Sequence, residues 1–174
     1  MSKPIAKGVY ALILRLDRDR HIQIGRLGRF RFSAGAYVYV GSAWGPGGLA
    51  ARISRHLRAD KTCRWHIDYL CLHATITQVW AGRCRPEQEH LWARVFGGFI
   101  NTAVPAKKFG SSDCRCPAHL FRLPKAPAIE SFNRALHQRR SGKQQAQIWN
   151  IREESFEHGK PRIPSKQPFG RSSR

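Results

Sequence analysis

Carboxylates are scarce in this chain, 11 Asp and Glu against 31 Lys and Arg, so each one that could hold a cation or move a proton matters. Ahead of residue 125 they are Asp17, Asp19, Asp60, Asp68, Glu87, Glu89 and Asp113. Asp17 and Asp19 suit a turn between strands, where Asp is favoured for backbone geometry alone. A hard cation such as Mg2+ takes oxygen ligands, often one or two carboxylates with several waters. That leaves Asp68, Glu87, Glu89 and Asp113. The two glutamates carry a second reading, as negative charge at the positive end of a helix. Arg52 and His56 stand four apart in GGLAARISRHLR and share one helix face, with Arg55 beside them. Such a face can grip a phosphate through a planar guanidinium fork, or it is simply a solvated basic face. Tyr10, Tyr37 and Tyr39 lie on two strand-like runs. Tyr10 and Tyr39 reach the same sheet face if the strands pair, unless they merely pack.

Two further groups stay open. Cys114, Cys116 and His119 in DCRCPAH offer up to three soft ligands for zinc. The cysteines stand closer than the usual spacing of about two to four intervening residues, and a fourth ligand would have to come from Cys63, Cys84 or His66. A polar loop with Asp113 or His119 holding a phosphate or water is the rival reading, and a plain turn is the third; zinc is not expected. In WHIDYL, His66 and Asp68 either orient each other beside the basic helix, or Asp68 satisfies a buried amide. Trp65 and Tyr69 pack or stack on bases.

These residues need a scaffold. GVYALILRL (8–16) reads as a buried strand, HIQIG and RFRF as short strands after a polar turn, and AYVYVG (36–41) as the strongest strand in the chain. GPGGLAARISRHLRAD reads as a loop and a helix with an apolar stripe of Leu49, Ile53 and Leu57. WHIDYLCL is ambiguous between helix and extended chain, and TITQVWA (75–81) is a strand. A helix is expected from Pro86 to Phe96, opening on proline with two glutamates in its first turn and ending at Gly97-Gly98. FGSSDCRCPAHLFRL feeds a short strand from a polar loop, and AIESFNRALHQRR is one more helix. The order predicts an α+β fold: a small, mainly antiparallel three-stranded sheet flanked by helices, with an extra β-hairpin. The expected organisation is a domain over 1–125, an additional helix over 126–140, and a basic, disordered tail over 141–174, where few apolar residues offset the ordering entropy.

A formal charge of +20 exceeds what solubility requires and points to a polyanionic partner, nucleic acid first. No run approaches the roughly 20 apolar residues of a membrane span, and MSKPIAKG lacks the apolar stretch of a secretory signal. The expectation is a soluble, cytoplasmic protein whose five cysteines serve as reduced thiols or in a metal site rather than in a disulfide framework.

The ordered set Gly8-Val9-Tyr10, Tyr39-Val40-Gly41, Arg52 with His56, and Glu89 resembles the GIY-YIG nuclease superfamily. The segments YVYVGSA, GGLAARISRHLR, WHIDYL and FGSSDCRCPAHLF resemble one branch more closely, the Uri-type endonucleases, some of them fused to endonuclease III. The resemblance covers about residues 8–123. It implies hydrolysis of DNA phosphodiester bonds with one divalent metal, Mg2+ or Mn2+, in repair or recombination. By the same resemblance Tyr10 is the general base or water-orienting group, and Tyr39 a second tyrosine lining the site. Arg52 contacts the scissile phosphate, His56 matches a histidine of some members, and Glu89 is the sole carboxylate metal ligand. Arg55, Arg58, Lys61 and Arg64 are the expected nucleic-acid contacts; Gly41, His66, Asp68, Ser112, Asp113, Cys114 and His119 are accessory candidates. Two departures stand out. A long insertion, Arg15 to Ala36, separates the two tripeptides, a trait the branch shares. The asparagine that some members use has no clear match, with Ser112 or Asp113 as stand-ins. The competing class is a non-catalytic module, binding DNA or RNA, that keeps the fold.

Overall fold

The computed structural model describes residues 6–139 and 146–148. In chain order the elements are β1 (Gly8–Leu16), β2 (Arg20–Ile24), β3 (Gly28–Phe32), β4 (Gly35–Ala43), α1 (Gly48–Leu57), α2 (His66–Cys71), β5 (Thr75–Gly82), α3 (Gln88–Gly97), β6 (Leu120–Leu123), α4 (Ile129–Gln138) and β7 (Gln147–Ile148). β1 is buried at every position but Arg15. Successive side chains of a strand face opposite ways, so a strand that is apolar throughout must be covered on both faces. It pairs antiparallel with β4 on one side and β5 on the other.

The antiparallel α+β architecture expected from the sequence is present, but the sheet is wider than three strands. β6 adds beside β4 and β7 beside β5, giving a five-stranded order β6-β4-β1-β5-β7. β7 falls inside the segment expected to be a disordered tail. It is held there because the Asn133 amide of α4 takes both polar backbone groups of Ala146, at 2.8 and 3.0 Å. The remainder of that expected tail lies outside the described residues. α4 is built into the main core through Phe132, whose ring stacks on Phe96 with centroids 4.5 Å apart.

Two apolar layers sandwich the sheet. Tyr10, Leu12, Leu14, Tyr37 and Tyr39 face α1, α2 and the β2–β3 hairpin. Val9, Ala11, Ile13, Val38 and Val40 face α3 and α4. The insertion between the tripeptides is the expected hairpin, a separate two-stranded sheet that buries Ile22, Ile24 and Phe32 in the first layer. Asp19 serves the turn as expected, accepting hydrogen bonds from the Ala34 N–H and from Arg31, both at 2.8 Å. The N–H bond first, and Arg31 next, hold its carboxyl below the usual range.

Three helix expectations shift. α1 buries Leu49, Ile53 and also His56, with Leu57 of the expected stripe partly buried against the same core, so this helix directs an imidazole into the core as well. The ambiguous WHIDYLCL is a helix over His66–Cys71. α3 starts later than Pro86: Gln88 and Glu89 N–H groups bond back to the carbonyls of Arg85 and Pro86 at 3.1 Å, a tight turn that precedes the α ladder. Glu87 therefore sits at the N-cap position, and Glu89 alone lies in the first turn. Among the described residues no helix is long and apolar enough to cross a membrane.

Candidate active site

A cavity of about 550 Å3 opens where the beginning of β1 meets the end of β4. Tyr10, Tyr39, Arg52 and Glu89 all line it. The sheet register explains the first two: Tyr10 lies opposite Gly41, and Tyr39 opposite Leu12, so both phenols project from one face. The Tyr10 ring lies directly over Gly41. A Cβ there would sit 2.5 Å from the phenol oxygen and 2.6 Å from the carbon bearing it. The glycine is needed for this close approach.

The Tyr10 hydroxyl is 2.8 Å from Nε2 of His56, which comes from the buried stripe of α1. Burial first, then the neighbouring Lys61, brings the His56 pKa down to about 3, so the ring is neutral at ordinary pH. Burial, then the neighbouring Tyr39, raises the Tyr10 phenol well above its usual value. The phenol therefore donates to Nε2, and the histidine proton sits on Nδ1. That nitrogen points at Asp68 Oδ1 from 3.8 Å, too far for a hydrogen bond. Tyr39 is likewise raised, by burial and then by Glu89.

The structure divides the basic face read from the sequence. The Arg52 guanidinium lies 4.1 Å from the centre of the Trp65 ring and lines the cavity. His56, only 2% exposed, lies behind Tyr10 and cannot share a phosphate with it. Arg55 is committed to Asp68 through two hydrogen bonds of 3.0 Å and also packs on Trp65. Lys61 donates to the His56 carbonyl at 2.5 Å, near the end of α1. Of the four cations expected to meet nucleic acid, Arg58 and Arg64 are exposed, and Arg64 borders the cavity.

Asp68 takes the amide-satisfying role. It accepts from the N–H groups of Arg64 and Trp65 at 2.9 and 3.0 Å as α2 begins. Its carboxyl lies below the usual range: burial pushes it up, and the Arg55 and backbone hydrogen bonds pull it down further. It does not orient His66, whose Nδ1 accepts the Gly110 N–H at 3.0 Å. Trp65 serves as the platform for arginines, while Tyr69 packs near Gly25 in the hairpin turn.

Glu89 reaches the cavity from the first turn of α3. Its Oε2 accepts the Ser42 hydroxyl at 2.6 Å, and its Oε1 lies 3.1 Å from Nδ1 of His119. Ser112, Asp113 and Cys114 border the same cavity. On the same wall, ligand atoms of His90, Cys114, Cys116 and His119 all lie within 4.8 Å of one another, and all of these but Cys116 line the cavity. The sequence reading proposed Cys63, Cys84 or His66 as the fourth member; His90 occupies that place.

Ser42 and His90 are the two residues that sequence reasoning missed. Each had a faint signal: Ser42 follows Gly41, and His90 follows Glu89. Both line the same cavity as those motif neighbours.

The model of one protein family, described as "Domain of unknown function DUF123", matches residues 9–142. No curated protein and no solved structure matches the chain.

Proposed function

The chain belongs to the DUF123 family, and we propose that its cavity hydrolyses phosphodiester bonds in DNA, as a GIY-YIG-type endonuclease of the Uri-like branch. The observation that carries this reading is the gathering of Tyr10, Arg52 and Glu89 on one solvent-reachable cavity. The three come from a strand and from helices on opposite faces of the sheet, so packing alone gives no reason for them to meet.

Hydrolysis needs an activated water and compensation for the charge that develops on phosphorus-bound oxygens. A buried phenol resists becoming phenolate. Tyr10 is placed to avoid that state: its oxygen accepts a proton from the attacking water as its own proton passes to His56 Nε2, 2.8 Å away. The resulting imidazolium keeps Nδ1–H directed at the Asp68 carboxylate, 3.8 Å distant. Arg52, over the Trp65 ring, presents its fork to a non-bridging phosphate oxygen.

Glu89 suits a divalent ion such as Mg2+ or Mn2+. Its carboxylate borders a polar, open cavity; Ser42 donates to one oxygen, and His119 Nδ1 lies 3.1 Å from the other. A single carboxylate completed by waters is an ordinary arrangement for such ions. The ion would supply positive charge to the phosphoryl oxygens and the leaving group.

The test is purified protein with Mg2+ or Mn2+ against labelled duplex, nicked, flapped and single-stranded DNA and RNA. Cleavage of at least one DNA structure is expected, abolished by Glu89→Gln and by Tyr10→Phe with affinity largely kept. Tight binding without cleavage of any substrate would return the chain to a non-catalytic binding module.

A further inference from the structure

We infer that His90, Cys114, Cys116 and His119 form a structural zinc site that clasps the loop before β6 onto α3. The four ligand atoms are two thiol sulfurs and two imidazole nitrogens, drawn from a helix and from a loop. A tetrahedral zinc with Zn–S of about 2.3 Å and Zn–N of about 2.0–2.1 Å has ligand–ligand edges of roughly 3.3–3.8 Å. Cys116 Sγ lies 3.4 Å from His90 Nδ1, and Cys114 Sγ lies 3.6 Å from His119 Nε2. Both pairs already match such edges, and the widest pair, within 4.8 Å, closes by a small side-chain adjustment. Two sulfurs and two nitrogens in a closed set suit zinc over Mg2+ or Ca2+, which take oxygen ligands.

The tight C-x-C spacing argued against zinc in the sequence. It does not in the fold, because the loop that carries both cysteines is closed on itself at its base. The N–H of Lys108 bonds to the Pro117 carbonyl at 2.7 Å, and the N–H of His119 to that of Phe109 at 2.8 Å. The loop backbone is thus already shaped, and each cysteine meets a different histidine.

His119 gives a second, independent observation. Its Nδ1 is buried and makes no well-aligned hydrogen bond, yet lies 3.1 Å from Glu89 Oε1. Metal on Nε2 fixes the proton on Nδ1, which then donates to the carboxylate. This carboxylate–histidine–metal arrangement is the common outer support of zinc-binding histidines. His90 follows Glu89 on α3, so the clasp holds the cavity wall that carries Glu89. The site stands on its four ligands and does not depend on the hydrolytic reading; only its effect on Glu89 does.

Binding displaces two thiol protons and leaves two thiolate–zinc bonds. The full chain, purified without chelator, is expected to carry close to one zinc per molecule by elemental analysis. After zinc removal, Co2+ alone should restore a tetrahedral visible spectrum with thiolate charge-transfer bands. Cys114→Ser should weaken those bands by about half, and Glu89→Gln should lower metal affinity roughly 10- to 100-fold. Background zinc in the untreated chain, together with no tetrahedral Co2+ spectrum, overturns the proposal. If the serine variant does not fold, the Co2+ titration of the unmutated chain still decides. A zinc-loaded chain that cuts nothing refutes the nuclease reading alone; a zinc-free chain that cuts DNA refutes the clasp alone.

Discussion

His56 should make the protein acid-sensitive in a window set by its own burial. Its pKa is about 3 in the fold, against an ordinary value of about 6.5 in an unfolded chain. Between these values the unfolded state holds a proton that the native state lacks, so stability rises with pH there and falls on acidification. Burial is the main cause of the low value; of the charged groups facing the ring, Lys61, Arg52 and Arg55 also oppose a positive imidazolium, and Asp68 alone favours it. Taking the cost at about 1.4 kcal/mol per pH unit below the unfolded pKa, going from pH 7.5 to 5.0 removes about 2 kcal/mol. Asp68 titrates outside this window, since its carboxyl is held below the usual range, and its contribution goes only at lower pH. His66 is also lowered by burial, and metal loss would act in the same direction, so the useful quantity is a difference. Urea unfolding at constant ionic strength should show the unmutated chain losing about 2 kcal/mol more than His56→Gln over this range. Parallel pH profiles for the two proteins would refute both the neutral imidazole and the hydrogen-bond direction drawn from it.

Gly41→Ala forces the Tyr10 ring away from a Cβ only 2.5 Å from its oxygen. It should cost about 1–3 kcal/mol in thermal or urea melts and suppress cleavage; a stable, active variant would show that the phenol is not fixed by that glycine. Asp68→Asn leaves Arg55 without its carboxylate partner and should cost about 3–5 kcal/mol, read by the same melts. Arg52→Ala should change stability by less than about 1 kcal/mol while removing turnover, which separates the two arginines by role. DNA affinity should fall steeply with salt, and Arg58→Ala or Arg64→Ala should each flatten the log–log slope by about one; an unchanged slope would remove that side chain from the phosphate contacts.

Sequence made the scaffold legible where one residue type has one use. The unbroken apolar run of β1 requires two covered faces, and its flanking turns are marked by Gly and Asp. The Tyr10, Tyr39, Arg52 and Glu89 set was found because their order along the chain carries a resemblance, and the strand register then brings the phenols to one face. What stayed hidden depends on tertiary partners. Arg55 and Arg52 look alike in sequence, but only one has Asp68 within reach. β7 has no apolar alternation, and its neighbour Ala146 is held by an asparagine side chain from α4. His90 was invisible as a ligand because its partner Cys116 lies 26 residues further along, well past any short ligand motif.

The two unusual features of the cavity bear on each other. Tyr10 is too deeply buried to wait as a phenolate, and His56 too deeply buried and too near cations to wait as an imidazolium. Neither can store charge at rest, so the pair can move a proton only while a negative phosphoryl group and a water arrive together. On the proposed reading, substrate completes the electrostatics: the phosphate occupies Arg52, easing the repulsion felt by a protonated His56, and the water yields its proton through Tyr10 as that repulsion falls. Such a site is idle without its substrate. It follows that Tyr10→Phe and His56→Gln should fail in the same step. Each alone should lower single-turnover cleavage about as far as the two together, because one proton passes through both. Additive losses in the double variant would mean that phenol and imidazole act separately, and the relay would have to be abandoned.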